Sequence, residues 1–432
     1  MGVVLGSIIL LVEGFFLGWT LLTKCSHTSE KNIVRLAEFI LLGILYGTGI
    51  LKGSFRYIAL LGVLGIQSIG AVIHLIQHKE VTYKCLKQWG IFFRNSVLYC
   101  VTLTLAILCP QFKEPVVTGP YLVKQAKYTW VNENQVEPYK TTGEKRALTV
   151  NFWYPQQVKE KCPLVVFSHG AFGIAEGNGS TFKELASNGY VVASISHPYH
   201  AMFTKEASGK IILGSKEFVD EVYSIQGKED TKEKYAIKKK WLDLRMSDEQ
   251  FVIDKIKQEV ERAEETPFRG INLEKIGLFG HSLGGASSAQ LGRERTDIDA
   301  VIVIDGTQFG EEVEFKEGRA VLNEEPYPVP ILNIYAEDHY KQAIEAEKLV
   351  EPLEYDNFYM TKYAVCAYET VFKKAGHLNF TDLPLFCPTL AKKLGIGTID
   401  KYYCIETMNT VVKDFFDCYL KDSQQLHIEK EY

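Results

Sequence analysis

The sequence has no phosphate-cradling glycine loop, no dinucleotide-binding fingerprint and no basic patch suited to a nucleic-acid backbone. Those absences speak against nucleotide-driven chemistry, nicotinamide or flavin redox chemistry and nucleic-acid partners. No cofactor is expected. Nine cysteines occur without any C-x-x-C spacing, and the five in the later part, Cys162, Cys366, Cys387, Cys404 and Cys418, are odd in number. They define neither a metal knuckle nor a disulfide framework. There is no internal repeat and no low-complexity tract. No basic residue precedes the first apolar run, which is also too long for the apolar core of a cleaved signal peptide.

What is present divides unevenly. The first 112 residues carry nine Lys/Arg and four Asp/Glu, a net of +5, so the whole-chain charge of −5 leaves −10 on the remainder. Four apolar runs fill the basic part: 3–22, 36–51, 57–76 and 95–109. The first and third reach the ~20 residues that cross a hydrocarbon layer about 30 Å thick, and the other two are shorter. A membrane domain of about four transmembrane helices is therefore expected over residues 1–112, followed by a soluble domain over 113–432. Lys24, Lys31 and Arg35 in the first loop and Lys79, Lys84, Lys87 and Arg94 in the third outnumber Lys52 and Arg56 in the second. On four spans that asymmetry places both termini, and with them the soluble domain, on the extracytoplasmic side of a multi-pass cell-membrane protein. Glu13 and Glu38 fall at or inside apolar runs, where a carboxylate is costly. Structural or protonated roles are favoured there over a transport role.

From about Pro115 the pattern changes to short β-rich runs separated by helical stretches. Strands are predicted at 147–155, 163–169, 190–197, 275–280, 300–306 and 329–338, most of them continuously apolar. Runs of that kind suit strands covered on both faces of a mainly parallel sheet. "STFKELASNG" reads as a helix with Ser180 as cap and Gly189 as stop. The alternation predicts an α/β domain. Between His197 and Lys275 the rhythm breaks, giving a charged helical insert at about 201–270. There Ser247 and Gln250 resemble a capping box ahead of Val252, Ile253, Ile256 and Val260. A solvated excursion and a cover over an active site are both open readings of it.

Within the soluble part, "KIGLFGHSLGGASSA" contains Gly280-His281-Ser282-Leu283-Gly284, a G-x-S-x-G pattern. Chance alone supplies such a match in roughly one sequence of ten with this composition, so the flanking context carries the argument. A strand-like run precedes it and small residues follow, the strand–turn–helix setting that exposes a serine hydroxyl on a sharp turn. A serine becomes nucleophilic only when a base takes its proton and an acid orients that base. His377 in "KKAGHLNFTD" follows the last strand and is preceded by Gly376, which favours it over His339 and His427. Two carboxylates end strands downstream, Asp305 and Asp338, and periodicity does not choose between them. Backbone donors for the oxyanion are expected at Leu283, after the nucleophile, and at Ala171 in "VVFSHGAFG", where Gly170 permits close approach. His281 is expected to pack rather than react. His197 and His200, with no further ligand cluster nearby, are expected to line a cleft rather than bind metal.

The stretches "PLVVFSHGAFG", "LASNGYVVASISHPYH", "LEKIGLFGHSLGGASS", "VIVIDG" and "AGHLNF" resemble, in order and spacing, the plasma-type platelet-activating factor acetylhydrolases. The likeness runs from Gly119-Pro120-Tyr121 to the last helix and includes none of the apolar region. It implies an α/β-hydrolase fold and a serine ester hydrolase acting, without metal, on short or oxidised acyl groups at the second position of glycerophospholipids. It favours Asp305 over Asp338 as the acid and supports Ala171 and Leu283 as oxyanion donors. The expected partners are a lipid bilayer and an ester or phospholipid substrate. The apolar region and the insert depart from the family pattern, so the substrate transfers less directly than the elbow chemistry. A peptidase or acyltransferase would use the same triad, and a catalytically silent membrane transport or sensory protein is the reading of a different class.

Overall fold

A computed structural model describes residues 2–52, 55–77, 81–157, 160–225, 231–262, 267–348, 355–423 and 426–432. It divides into two units, Met1–Lys113 with Pro384–Lys393, and Glu114–Leu383 with Leu394–Tyr432.

Among its described residues before Lys113, the first unit has four helices, α1 (Gly2–Thr23), α2 (Thr28–Gly47), α3 (Phe55–Ile76) and α4 (Cys85–Leu108). Tyr57, Leu60, Leu64, Tyr99 and Leu103 pack inside, whereas Leu11, Phe15, Leu22, Ile66 and Ile69 point outward. Polar groups also turn inward: Asn95 donates to Glu13 at 2.9 Å and Tyr99 to Gln67 at 2.6 Å. Glu13 lies 3.9 Å from Arg35 as well, so this carboxylate has partners that the sequence did not reveal. Apolar outside and polar inside is the polarity of a bundle solvated by lipid.

Among the described residues three helices, not four, are long and apolar enough to cross a membrane: α1, α3 and α4. The expected second span forms as α2, but Glu30, Lys31, Arg35 and Glu38 interrupt its apolar surface. With three spans, the segment bearing Lys24, Lys31 and Arg35 and the one bearing Lys84 and Lys87 fall on opposite sides. The count of basic residues then assigns no side, and Lys79 lies outside the described residues.

The second unit opens with two long antiparallel strands, β1 (Val123–Val136) and β2 (Lys145–Pro155). β3 (Cys162–Ser168), α5 (Gly179–Ser187) and β4 (Val191–Ser196) form the first parallel crossover. The insert follows, with a small hairpin of β5 (Phe203–Lys205) and β6 (Ile211–Leu213), then α6 (Lys216–Ile225) and the 31-residue α7 (Lys232–Arg262). β7 (Ile271–His281), α8 (Leu283–Glu294) and β8 (Ala300–Ile304) come next, then a hairpin of β9 (Glu312–Lys316) and β10 (Arg319–Leu322). β11 (Ile331–Ala336), α9 (Glu337–Glu347), α10 (Asp356–Tyr363) and β12 (Ala367–Phe372) follow. The chain then passes through the short α11 (Leu383–Phe386) and α12 (Pro388–Lys393), which group with the first unit apart from Leu383, and the second unit closes with α13 (Lys401–Leu420).

The eight-stranded sheet has the order β1-β2-β4-β3-β7-β8-β11-β12 and is parallel from β4 to β12. Val165 and Phe167 enter one core with α5 and α13, while Leu164 and Val166 enter the other with Val252, Ile253 and Ile256 of α7. Covering both faces explains why these strands read as unbroken apolar runs. It also resolves the insert: the later half of α7 is a layer on the sheet, not a solvated excursion. Ser247 and Gln250 sit in mid-helix and cap nothing. Ser180 is not the cap of α5 either; Asn178 holds that position, and the Ser180 amide donates to Asp382 at 2.8 Å.

Phe416 of α13 is fully buried against the β7 backbone, where a Cβ added at Gly277 would lie 2.6 Å from its ring. Phe416→Ala should cost about 3–5 kcal/mol. Urea unfolding of the detergent-solubilised chain, followed by tryptophan fluorescence, measures the change.

Candidate active site

β3 and β7 are neighbours, but the chain leaves them in opposite directions across the sheet, to β4 and to β8. A crevice opens at the carboxyl ends of strands where the winding reverses. Ser168-His169-Gly170 and His281-Ser282 end these two strands, so topology places the two glycine-rich stretches side by side.

The turn at Ser282 is strained, with φ 56° and ψ −125°, a conformation worth of the order of 1–3 kcal/mol for a residue with a side chain. Its amide donates to Ile304 at 2.9 Å and its carbonyl accepts from Ala286 at 3.1 Å. The surrounding backbone is too close for side chains. A Cβ on Gly284 would lie 2.0 Å from the Ser168 carbonyl, and one on Gly280 would lie 2.2 Å from the Gly284 backbone.

Asp305 follows β8 and is almost wholly buried, with its amide held by Ile334 at 2.7 Å. One carboxylate oxygen accepts from the Ala336 amide at 2.7 Å. The other meets Nδ1 of His377 at 2.6 Å and Nδ1 of His339 at 2.8 Å. Burial alone would raise the Asp305 pKa; the hydrogen bonds and charge of the two imidazoles outweigh it and hold the carboxyl well below its usual range. The same bond to Asp305 raises the pKa of His339 against the opposing effect of burial.

His377 opens a short 3-10 turn, and its carbonyl accepts Nε2–H of His281 at 3.0 Å. The two rings lie 4.4 Å apart. Burial first, and the neighbouring His377 second, push the pKa of His281 down to about 3, so it is the neutral donor this bond needs. The residue before Ser282 thus ties the His377 loop to the Ser282 turn, a contact that no local sequence signal announced. Asp338 is exposed in the first turn of α9 and accepts the His339 amide at 2.9 Å. His427 lies in the tail, 3.0 Å from Glu429.

Ala171 and Leu283 share an apolar cluster with Phe172 and with Phe218 and Trp241 of the insert. The first half of α7 therefore borders the site while its second half covers the sheet. Beneath this cluster lies a polar network that the sequence did not reveal. Arg146 bonds Asp248 through two nitrogens at 2.6 and 2.7 Å and Glu137 through the third at 2.8 Å. Asp248 also accepts Nδ1–H of His197 at 2.8 Å, and Ser168 bonds the other His197 nitrogen at 2.9 Å. His200 is bracketed by Arg245 at 3.0 Å and Tyr139 at 2.7 Å. Both nitrogens of His197 and of His200 are thus engaged by protein groups, which leaves neither ring a lone pair for a metal. The ligand atoms of Asp305, His339 and His377 lie within 4.8 Å of one another, near enough to share a cation, but their hydrogen bonds to one another already account for that convergence.

The fold is that of the α/β-hydrolases. A ferulic acid esterase from Streptomyces cinnamoneus superposes with a TM-score of 0.55 at 20% identity, over 72% of this chain and 94% of that one. Residues 139–431 match the family platelet-activating factor acetylhydrolase, isoform II, and the chain belongs to that family. No curated protein matches it. Family and fold together define an ester hydrolase preceded by three apolar helices that fit a membrane region.

Glu249 of α7 is fully buried and accepts from Ser288 at 3.1 Å and from Ser287. Burial raises its pKa to about 7 despite the serine hydroxyls. The folded state therefore holds this proton when the unfolded chain has lost it, so stability falls as pH rises from about 4.5 to 7 and levels off above. Glu249→Gln should remove that slope, of the order of 3 kcal/mol, which paired urea titrations at pH 5 and pH 8 measure.

Proposed function

We propose that the chain is a membrane-anchored serine ester hydrolase. Ser282 is the nucleophile, and His377 takes its proton through Nε2. Asp305 keeps the His377 proton on Nδ1 and stabilises the imidazolium that forms. The Leu283 and Ala171 amides receive the oxyanion of the tetrahedral intermediate, each donor contributing roughly 3–4 kcal/mol. His377 then returns its proton to the leaving alcohol, and water repeats the cycle to release the acid. The observation that carries this reading is the 2.6 Å bond between Asp305 and His377 beside a strained serine turn.

The substrate is a lipid ester with a short acyl group, in the manner of platelet-activating factor. Family membership supports the chemistry, and the apolar wall formed by Phe172, Phe218, Trp241 and Leu283 supports an acyl chain beside the serine. Three helices fit to cross a bilayer keep the domain where such esters are found.

A fluorophosphonate probe should label the full-length protein, and Ser282→Ala should abolish labelling. On a short nitrophenyl ester Asp305→Asn should lower kcat on the order of 10³- to 10⁴-fold, with Asp338→Asn near wild type. A larger loss at Asp338 overturns the acid assignment, and equal labelling of Ser282→Ala overturns the nucleophile. Vesicles containing a 2-acetyl glycerophosphocholine should release acetate faster than 2-palmitoyl vesicles release palmitate; the reverse order removes the short-chain reading.

A further inference from the structure

Arg245 has no exposed surface and lies on α7, far in sequence from the β3 loop. One of its terminal nitrogens donates to the His169 carbonyl at 2.8 Å, and the other reaches the Gly170 carbonyl at 3.5 Å. Nδ1–H of His169 donates to that same Gly170 carbonyl at 2.7 Å, and the Gly173 amide donates to it at 3.0 Å. Two successive carbonyls are thus drawn to one side of the loop.

A planar trans peptide points its C=O and the following N–H in opposite directions. Carbonyls of His169 and Gly170 turned toward Arg245 therefore turn the amides of Gly170 and Ala171 the other way. Successive N–H groups aimed together form an anion-binding concavity. The loop lies against the Ser282 turn, where a Cβ on Gly170 would lie 3.0 Å from the Ser282 Cβ. Among the described residues no backbone acceptor takes up the Ala171 amide.

We infer that Arg245 is a positioning residue for the oxyanion hole: it fixes the peptide planes of the His169–Ala171 loop from behind, so that the Ala171 amide is aimed before substrate arrives. It touches neither substrate nor the reacting atoms. The role suits arginine, whose rigid fork of donors spans two carbonyls at once, where a lysine ammonium would be a single point charge. His169 acts with it as a neutral donor, since burial and the Arg245 charge keep its pKa well below the ordinary value. Because Trp241, one helical turn away on α7, packs with Leu283 and Ala171, the same helix supports both expected donors.

This inference rests on the serine-hydrolase reading, and its test separates the two. Full-length wild type, Arg245→Lys, His169→Gln and Glu249→Gln are titrated with the fluorophosphonate, and rates on a short nitrophenyl ester are expressed per labelled site. A trifluoromethyl ketone of matching chain length reports affinity for the tetrahedral state. Arg245→Lys should lower kcat per site roughly 10- to 100-fold, a fraction of the 10²–10³ that loss of a whole donor costs. KM should stay within about threefold, and ketone affinity should weaken in proportion to kcat/KM. Glu249→Gln, equally buried on α7 but bonded to serine hydroxyls rather than to the His169 and Gly170 carbonyls, should keep kcat per site. If Arg245→Lys lowers only the labelled fraction, with kcat per site and ketone affinity unchanged, its role is structural and the inference fails. Should that variant not fold, His169→Gln decides by the same two readouts, because it removes a second donor to the Gly170 carbonyl. Failure of the wild type to label contradicts the serine-hydrolase reading instead.

Discussion

Two guanidinium groups without exposed surface, Arg146 and Arg245, impose the constraint on which the second unit is arranged. A buried charge is tolerated only when it is paired and fully hydrogen-bonded. Asp248 and Glu137 answer Arg146, and Asp248 further fixes His197. Arg245 is satisfied largely by neutral acceptors, the His169 and Gly170 carbonyls and the His200 ring, and burial pushes its pKa down to about 9. Arg245, Asp248 and Glu249 are spaced i, i+3, i+4 and so share one face of α7. A slip of that helix by one residue would break the Arg146 pair, release the β3 loop and bury unpaired charge. Its position is therefore set by charge as firmly as by Val252, Ile253 and Ile256.

The same network shapes the medium around Ser282. His169, His197, His200 and His281 are all kept neutral by burial, with neighbouring positive charge adding to the effect. The crevice is walled by Phe218, Trp241 and Leu283. Beside such apolar walls, a backbone amide aimed at developing negative charge acts with more force than it would in open water. The strain at Ser282 is borne by contacts that leave no room for alternatives, since Gly280, Gly284 and Ser168 meet backbone to backbone.

Legibility in the sequence followed the range of the interactions. The six predicted strands are those covered on both faces, and the continuous apolar run is the direct imprint of that covering. β1 leaves no such imprint because its residues are mostly half-buried or exposed and mix polar with apolar types, and β12 because only its second half is buried. The predicted strand at 329–338 stops at Ala336, where Glu337 and Asp338 begin α9 with acidic groups at the helix start. The apolar run at 36–51 suggests a span only in isolation, because Glu30, Lys31 and Arg35 belong to the same helix. The serine turn was visible because its glycines are neighbours in sequence. His281, His339 and Arg245 were not, since their partners lie tens of residues away and are brought close only by the parallel crossovers and by α7. The Arg-x-x-Asp-Glu spacing at 245–249 was the one local hint, and it resembles any charged helix.

We propose that an oxyanion formed at Ser282 is received by amides aimed in advance from the β3 loop and the start of α8. The most direct measurement is an experimental structure of the full-length protein carrying a phosphonate adduct. The adduct should sit on the Ser282 Oγ with its phosphoryl oxygen about 3 Å from both the Ala171 and Leu283 nitrogens, and the Arg245 contacts to His169 and Gly170 should stay intact. An adduct on another residue, or a phosphoryl oxygen turned away from those two amides, would contradict it.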